Sequence, residues 1–330
     1  MDFDYRTIWW EKVPTAVQCV EKVKELILNG KSISFDNGMG EWTDSFLQSV
    51  ISAVTSENYN IGFENLDLSE LSDSSTITDG IADYYGIGYM TQRKISELMP
   101  ELPPDGTFWI LRNVNESRER ELEKLLRHIK ENHAPLMFLF QRTGETRIRG
   151  VENVTITPNR LDLSYFAWTL LLGNFPEEMI EYAVDLAVEL SDENPVECAR
   201  LCQNMNNCIR NPISFCDEME EAQAISKVHT AQVRIIEPLI EYGRVYLIRK
   251  LGKRVEDLLP FTDDYQNVLT KPVEVELRCI IYYKFELNLS PEEKDLANML
   301  YNARNKVSHL ELLSYKEIDE IVKESRKWSG

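Results

Sequence analysis

The chain has 330 residues, 43% hydrophobic and 10% aromatic, with a formal net charge of −19. That length holds two or three domains with cores of their own, and the composition excludes a disordered chain. The charge excludes a protein that coats nucleic acid by neutralising phosphates, leaving only brief contact steered by a local basic face.

The first ten residues, MDFDYRTIWW, are acidic and aromatic, unlike a secretion signal. No window approaches the roughly 18 uninterrupted apolar residues of a membrane span. The expectation is a cytoplasmic protein, with Trp9 and Trp10 as a hydrophobic docking patch. Thr15 to Asn29 then reads as a helix preceded by Pro14, capped by Thr15 and Gln18 and closed by Gly30. Ser32 to Phe35 is a short strand. After DNGMGEW, Thr43 opens a helix that buries Phe46, Val50, Ile51 and Val54. Further strands are predicted at Tyr59–Phe63, Thr107–Leu111, Leu136–Phe140 and Val151–Thr157. The third and fourth are apolar throughout, as buried parallel strands are. A charged helix, Asn115 to Asn132, lies between them with Leu122, Leu125, Leu126 and Ile129 on one face. Strands and helices alternating in this way predict a mostly parallel sheet covered on both faces. Beyond about residue 160 the pattern is helical, with breaks at Asn174–Pro176, Asn194–Pro195, Asn211–Pro212 and Asp263–Asp264.

The segment SISFDNGMGEWTDSF has the layout of a phosphate-binding loop: apolar strand, glycine-bearing turn, helix start. Glu41 and Trp42 stand where such a loop carries its lysine and its Ser/Thr, and a carboxylate there repels phosphate. TFWILRNVNE, 107 to 116, fits the strand that usually ends in magnesium-binding acids, yet ends in Arg112 and Asn113. The order of elements resembles an AAA+ or STAND-type NTPase with both nucleotide motifs eroded. That resemblance implies a sensor strand at Leu136–Gln141 and a helical lid around 176–215, and no ATP hydrolysis is expected. The competing readings are an α/β fold that never bound nucleotide and one that still binds it through backbone amides alone.

Four cysteines, Cys198, Cys202, Cys208 and Cys216, fall in one region without the two-residue spacing of a zinc knuckle. They read as small buried hydrophobes, so neither metal nor cofactor is expected. A basic stretch, Ala222 to Glu256, reads as one face of an amphipathic helix.

Ser290-Pro291-Glu292-Glu293 is a strong helix start, and Ser314 with Glu317 starts another. The predicted helix between them, Pro291 to Leu313, buries Leu296, Leu300, Ala303, Val307 and Leu310 on one stripe. Arg304 lies at its margin, while Asn305 and His309 face away from it, one turn apart. R-N-K-V-S-H, 304 to 309, matches the RxxxxH motif of the HEPN family, with asparagine after the arginine. AQVRIIEPLIEYGRVYLIRK, 231 to 250, resembles the long first helix of HEPN domains of the Swt1 type in its Q…PLIE…R pattern.

The resemblance implies a metal-independent endoribonuclease acting as a homodimer, in a bacterial toxin or anti-phage system. In it His309 handles a proton, Arg304 stabilises phosphorane charge and Asn305 orients imidazole or substrate. RNA is then a transient partner, and a second protein in a defence complex a possible one. The rival is a non-catalytic scaffold that uses the same bundle to dimerise or bind RNA. The expected fold class is thus α/β followed by all-α: a degenerate P-loop-like domain at 1–160, a helical lid at 161–221 and a HEPN-like bundle at 222–330.

Overall fold

A computed structural model describes residues 4–36, 42–87, 94–98, 100, 102, 107–141, 148–216, 219–262 and 266–328. They form two compact units, Met1–Asp162 and Leu163–Gly330.

The first unit is an α/β sheet unit. In chain order it comprises α1 (Tyr5–Lys12), α2 (Pro14–Leu28), β1 (Ser32–Asp36), α3 (Thr43–Glu57), β2 (Gly62–Asp67) and α4 (Ile77–Tyr84). There follow α5 (Ile95–Leu98), β3 (Thr107–Arg112), α6 (Glu116–Asn132), β4 (Leu136–Gln141) and β5 (Val151–Thr155). All five strands are parallel, in the order β2-β3-β4-β1-β5. Strand alternation divides the core between two faces. Trp109, Leu111, Phe138 and Phe140 pack with Ile77 and Ile81 of α4 and Leu122 and Leu125 of α6. Phe35 of β1 meets Phe46 of α3, which in turn packs against Trp10 of α1.

Several local expectations need correction. Trp9 and Trp10 are no surface patch: both are fully buried, and the Trp10 indole donates to Ser45 Oγ at 3.0 Å. Pro14 is the first helical residue of α2, not its prelude, so Thr15 cannot cap; its amide donates to Asp162 instead. In α3, Leu47 takes the buried place expected for half-buried Ile51. The second strand begins three residues later than predicted. Asn58 to Ile61 form a turn there and leave Tyr59 86% exposed.

Among its described residues the second unit is helical except for a hairpin of two-residue strands, β6 (Phe261–Thr262) with β7 (Val268–Leu269). Its helices are α7 (Arg160–Leu171, which begins in the first unit), α8 (Ile180–Ser191), α9 (Pro195–Gln203), α10 (Met205–Cys208), α11 (Glu221–Leu251) and α12 (Lys253–Glu256). The chain ends with α13 (Leu277–Tyr282), α14 (Pro291–Ser308) and α15 (Tyr315–Ser325). The long α11 is the axis of the unit, packed by α8, α14 and α15. Gly243 lets α14 and the chain end approach it: a Cβ there would lie 2.8 Å from Leu300 and 2.7 Å from Trp328. Among the described residues no helix is long and apolar enough to cross a membrane.

Candidate functional site

Two places in the molecule have the layout of a site. The first is a crevice of about 360 Å3 at the carboxyl edge of the sheet, lined by Phe35, Thr43, Asp44, Ile110, Arg112, Asn113 and Gln141. Parallel α/β sheets bind ligands where neighbouring strands send their connections in opposite directions. In this order β1 and β4 do so: β1 leads to β2 on one side, β4 to β5 on the other.

The crevice satisfies its own charges. Asp44, in the first turn of α3, stands at the positive end of that helix and accepts from Arg112 Nη1 at 2.6 Å. Arg112 ends β3, so a guanidinium occupies the position expected to carry a metal-binding acid. Asn113 follows in left-handed conformation (φ 55°) and donates to both oxygens of Asp67, at 2.8 and 3.0 Å. Hydrogen bonds from Ser69 and Asn113 hold the Asp67 carboxyl below the usual range. Trp42, at the position expected for the Ser/Thr, is buried against Trp9 and Tyr5. Gly40 and Glu41 lie outside the described residues.

The second place is the C-terminal end of α14. The helix starts as read, with Ser290 and Glu293 forming a reciprocal capping box. Glu293 is only 4% exposed and takes two hydrogen bonds from Arg254, at 2.7 and 3.1 Å. The helix stops earlier than expected, at Ser308. His309 is its C-cap, and its backbone N–H donates to the carbonyls of Asn305 and Lys306. Leu310 therefore leaves the buried stripe: it is 69% exposed in left-handed conformation (φ 59°), while Leu296, Leu300, Ala303 and Val307 remain buried. Glu311 N–H to Lys306 carbonyl and Leu310 N–H to Val307 carbonyl complete a Schellman turn, with leucine where glycine is usual. That substitution costs on the order of 1 kcal/mol of backbone strain.

Neighbouring helices hold the turn against this strain. His229 of α11 is 2.8 Å from the Val307 carbonyl through Nε2. Buried Gln232 grips Leu313 on both sides, donating to its carbonyl at 2.9 Å and accepting from its N–H at 2.8 Å. Lys306 donates to Glu317 of the next capping box at 2.6 Å. Arg244 crosslinks Glu241 with the carbonyls of Val273 and Val275. Gln232 and Arg244 are letters of the Q…PLIE…R pattern; His229, which the sequence reading missed, sits one turn before Gln232 on the same helix.

Within the motif, Arg304 is exposed and pairs with Glu276 at 3.1 Å, Asn305 is half-buried and His309 is exposed. The three share one helix end, but no hydrogen bond or ion pair joins their side chains among the described residues. Within the basic stretch Lys227 pairs with Asp192, Arg234 with Glu189 and Asp185, Arg244 with Glu241, and Arg254 of α12 with Glu293.

All four clustered cysteines are buried, and burial pushes the Cys208 thiol up to about 12. Among the described residues no three His, Cys, Asp or Glu side chains are arranged to hold a metal ion.

No protein-family model and no curated protein matches the chain. Among solved structures it is similar to the Aeropyrum pernix ORC2 protein in its ADPNP–ADP complexes, at 15% identity and a TM-score of 0.35, over 98% of each chain. That likeness is too distant to carry a conclusion about activity.

Proposed function

We propose that the protein is an RNA-directed effector of a toxin or anti-phage system. In this reading residues 222–330 are a HEPN-like bundle that cleaves RNA without metal, as a homodimer. Residues 1–160 are a P-loop NTPase-like unit that does not hydrolyse nucleotide, and 161–221 its lid. The observation that carries it is the grouping of Arg304, Asn305 and His309 on an accessible helix end, on a turn fixed from α11.

RNA brings its own nucleophile, the 2′-hydroxyl, so the protein need only move protons and stabilise charge. His309 moves the proton, its imidazole offering both a donor and an acceptor nitrogen. Arg304 meets the phosphorane with its planar fork. Its pair with Glu276 is about half exposed on both sides; such a pair contributes at most about 1 kcal/mol, so a phosphodiester can take its place. Asn305 orients the imidazole or the substrate. Two copies let different faces of two α14 helices meet in one groove.

The NTPase-like reading of the first unit is supported by its parallel sheet and by the crevice at the switch point. The Arg112–Asp44 pair argues against hydrolysis there, since the end of β3 offers no acid to a metal ion.

A second reading, the non-catalytic scaffold, is favoured by the acidic groups around Arg304, with Glu276 bonded to it and Glu241 close enough to feel its charge. Incubation with total RNA in EDTA separates the two. The effector reading requires cleavage that His309→Ala and Arg304→Ala abolish. No cleavage, or cleavage that survives His309→Ala, leaves the scaffold.

A further inference from the structure

The second unit carries an open groove of about 850 Å3 between α7, α8, α11 and α15. Its apolar floor includes Trp168, Leu172, Ile235, Pro238, Leu239 and Val322. Helix α7 is apolar on both faces. Leu163, Phe166, Ala167 and Leu171 are buried, yet Tyr165, Trp168 and, one residue past the helix end, Leu172 remain 48%, 39% and 60% exposed. A helix apolar all round is ordinarily covered all round. The exposed three follow one another at intervals of three and four residues, the spacing along which a second helix packs.

Acceptors outnumber free donors around the groove. Pro238 interrupts the hydrogen-bond ladder of α11, so the Arg234 carbonyl lacks its helical donor. Arg234 and Pro238 stand one turn apart and both line the groove. Rim residues Glu177 and Glu181 have no cationic partner among the described residues. The two rim arginines are already engaged, Arg326 with Glu178 and Arg234 with Glu189 and Asp185. An apolar floor is thus edged by acceptors and uncompensated negative charge.

We propose that this groove docks an amphipathic helix of a partner protein, with large apolar side chains at i, i+3 and i+7 and lysine or arginine at its flanks. The apolar face covers Tyr165, Trp168 and Leu172, and the flanking cations meet Glu177 and Glu181. A second copy docking groove to groove is a poor occupant, because it would bring one set of rim carboxylates against another.

The test uses the full chain to select from a displayed library of randomised 18-residue helical peptides. Enriched peptides are then synthesised and titrated by fluorescence anisotropy. The expected result is convergence on the apolar i, i+3, i+7 pattern with basic flanks. Binding should weaken at least tenfold for Leu172→Asp and for Glu181→Lys, and stay unchanged for Tyr59→Asp, a change at a more exposed apolar residue of the first unit. Circular dichroism confirms that the variants are folded. The proposal is overturned by enrichment of no sequence or of sequences without the pattern, or by equal binding to Leu172→Asp. A peptide-free dimer that Leu172→Asp dissociates overturns it as well, since the groove then belongs to a second copy.

Discussion

The carboxyl edge of the sheet and the end of α14 are both places where a sequence pattern advertises chemistry, and they have met opposite fates. At the sheet edge the polar groups are taken up by one another: Arg112 pairs with Asp44, and the Asn113 amide donates to Asp67. At the end of α14 the supporting groups are tied down, while His309 stays open to solvent and Arg304 keeps only a half-exposed pair with Glu276. Side chains near a functional position can thus serve the fold or serve a ligand, and hydrogen-bond partners tell which. Rigid support with accessible polar tips is what a site needs.

The strongest way to break this contrast is to remove the support. Gln232→Ala leaves the Leu313 N–H and carbonyl buried without partners, for a loss of about 3 kcal/mol. Chemical denaturation should show that loss, and hydrogen exchange should show residues 309–313 opening while β3 and β4 keep their protection. A smaller effect is expected at the other end of α14. Glu293→Gln removes the ionic bond to Arg254 and should cost about 2 kcal/mol.

Acid sharpens the same point. Burial works to raise the Glu293 carboxyl, but the Arg254 fork and the Ser290 N–H outweigh it and hold it below the usual range. A depressed carboxyl stabilises the fold above its unfolded pKa, about 4.3 for glutamate, and that contribution is lost as pH falls through the folded value. Wild type should therefore lose stability on acidification below about pH 4.3 more steeply than Glu293→Gln, as read from denaturation midpoints. The smallest change belongs to the sheet edge. Asp44→Ala breaks a pair exposed on both sides and should cost less than about 1 kcal/mol. Titration of this variant with labelled ATP should also yield no turnover, because no acid is gained.

Much of the architecture was legible because its signals are local. Uninterrupted apolar runs marked β3 and β4, and Ser290 with Glu293 and Ser314 with Glu317 marked two helix starts to the residue. What escaped depends on distant partners. Trp9 and Trp10 look like a surface patch until Phe46, Ser45 and Trp42 arrive from α3 and the turn before it. The end of α14 escaped for a related reason. Apolar periodicity carries the helix through Leu310, and only the contacts of Gln232 and His229, about 80 residues earlier, make a leucine-bearing turn tolerable. The site residues themselves came from a six-residue motif, and spacing alone could not reveal that Arg304 would pair with Glu276.

The central claim is that the end of α14 performs RNA chemistry with the substrate's own 2′-hydroxyl. It is tested most directly with an RNA oligonucleotide that the full chain cuts in EDTA, compared with the same oligonucleotide carrying one 2′-deoxy residue at the cut. The account predicts a product ending in 2′,3′-cyclic phosphate and at least a thousandfold loss at the deoxy position. Cutting of the deoxy substrate at an equal rate, or no cutting of RNA at any concentration of the folded protein, contradicts it.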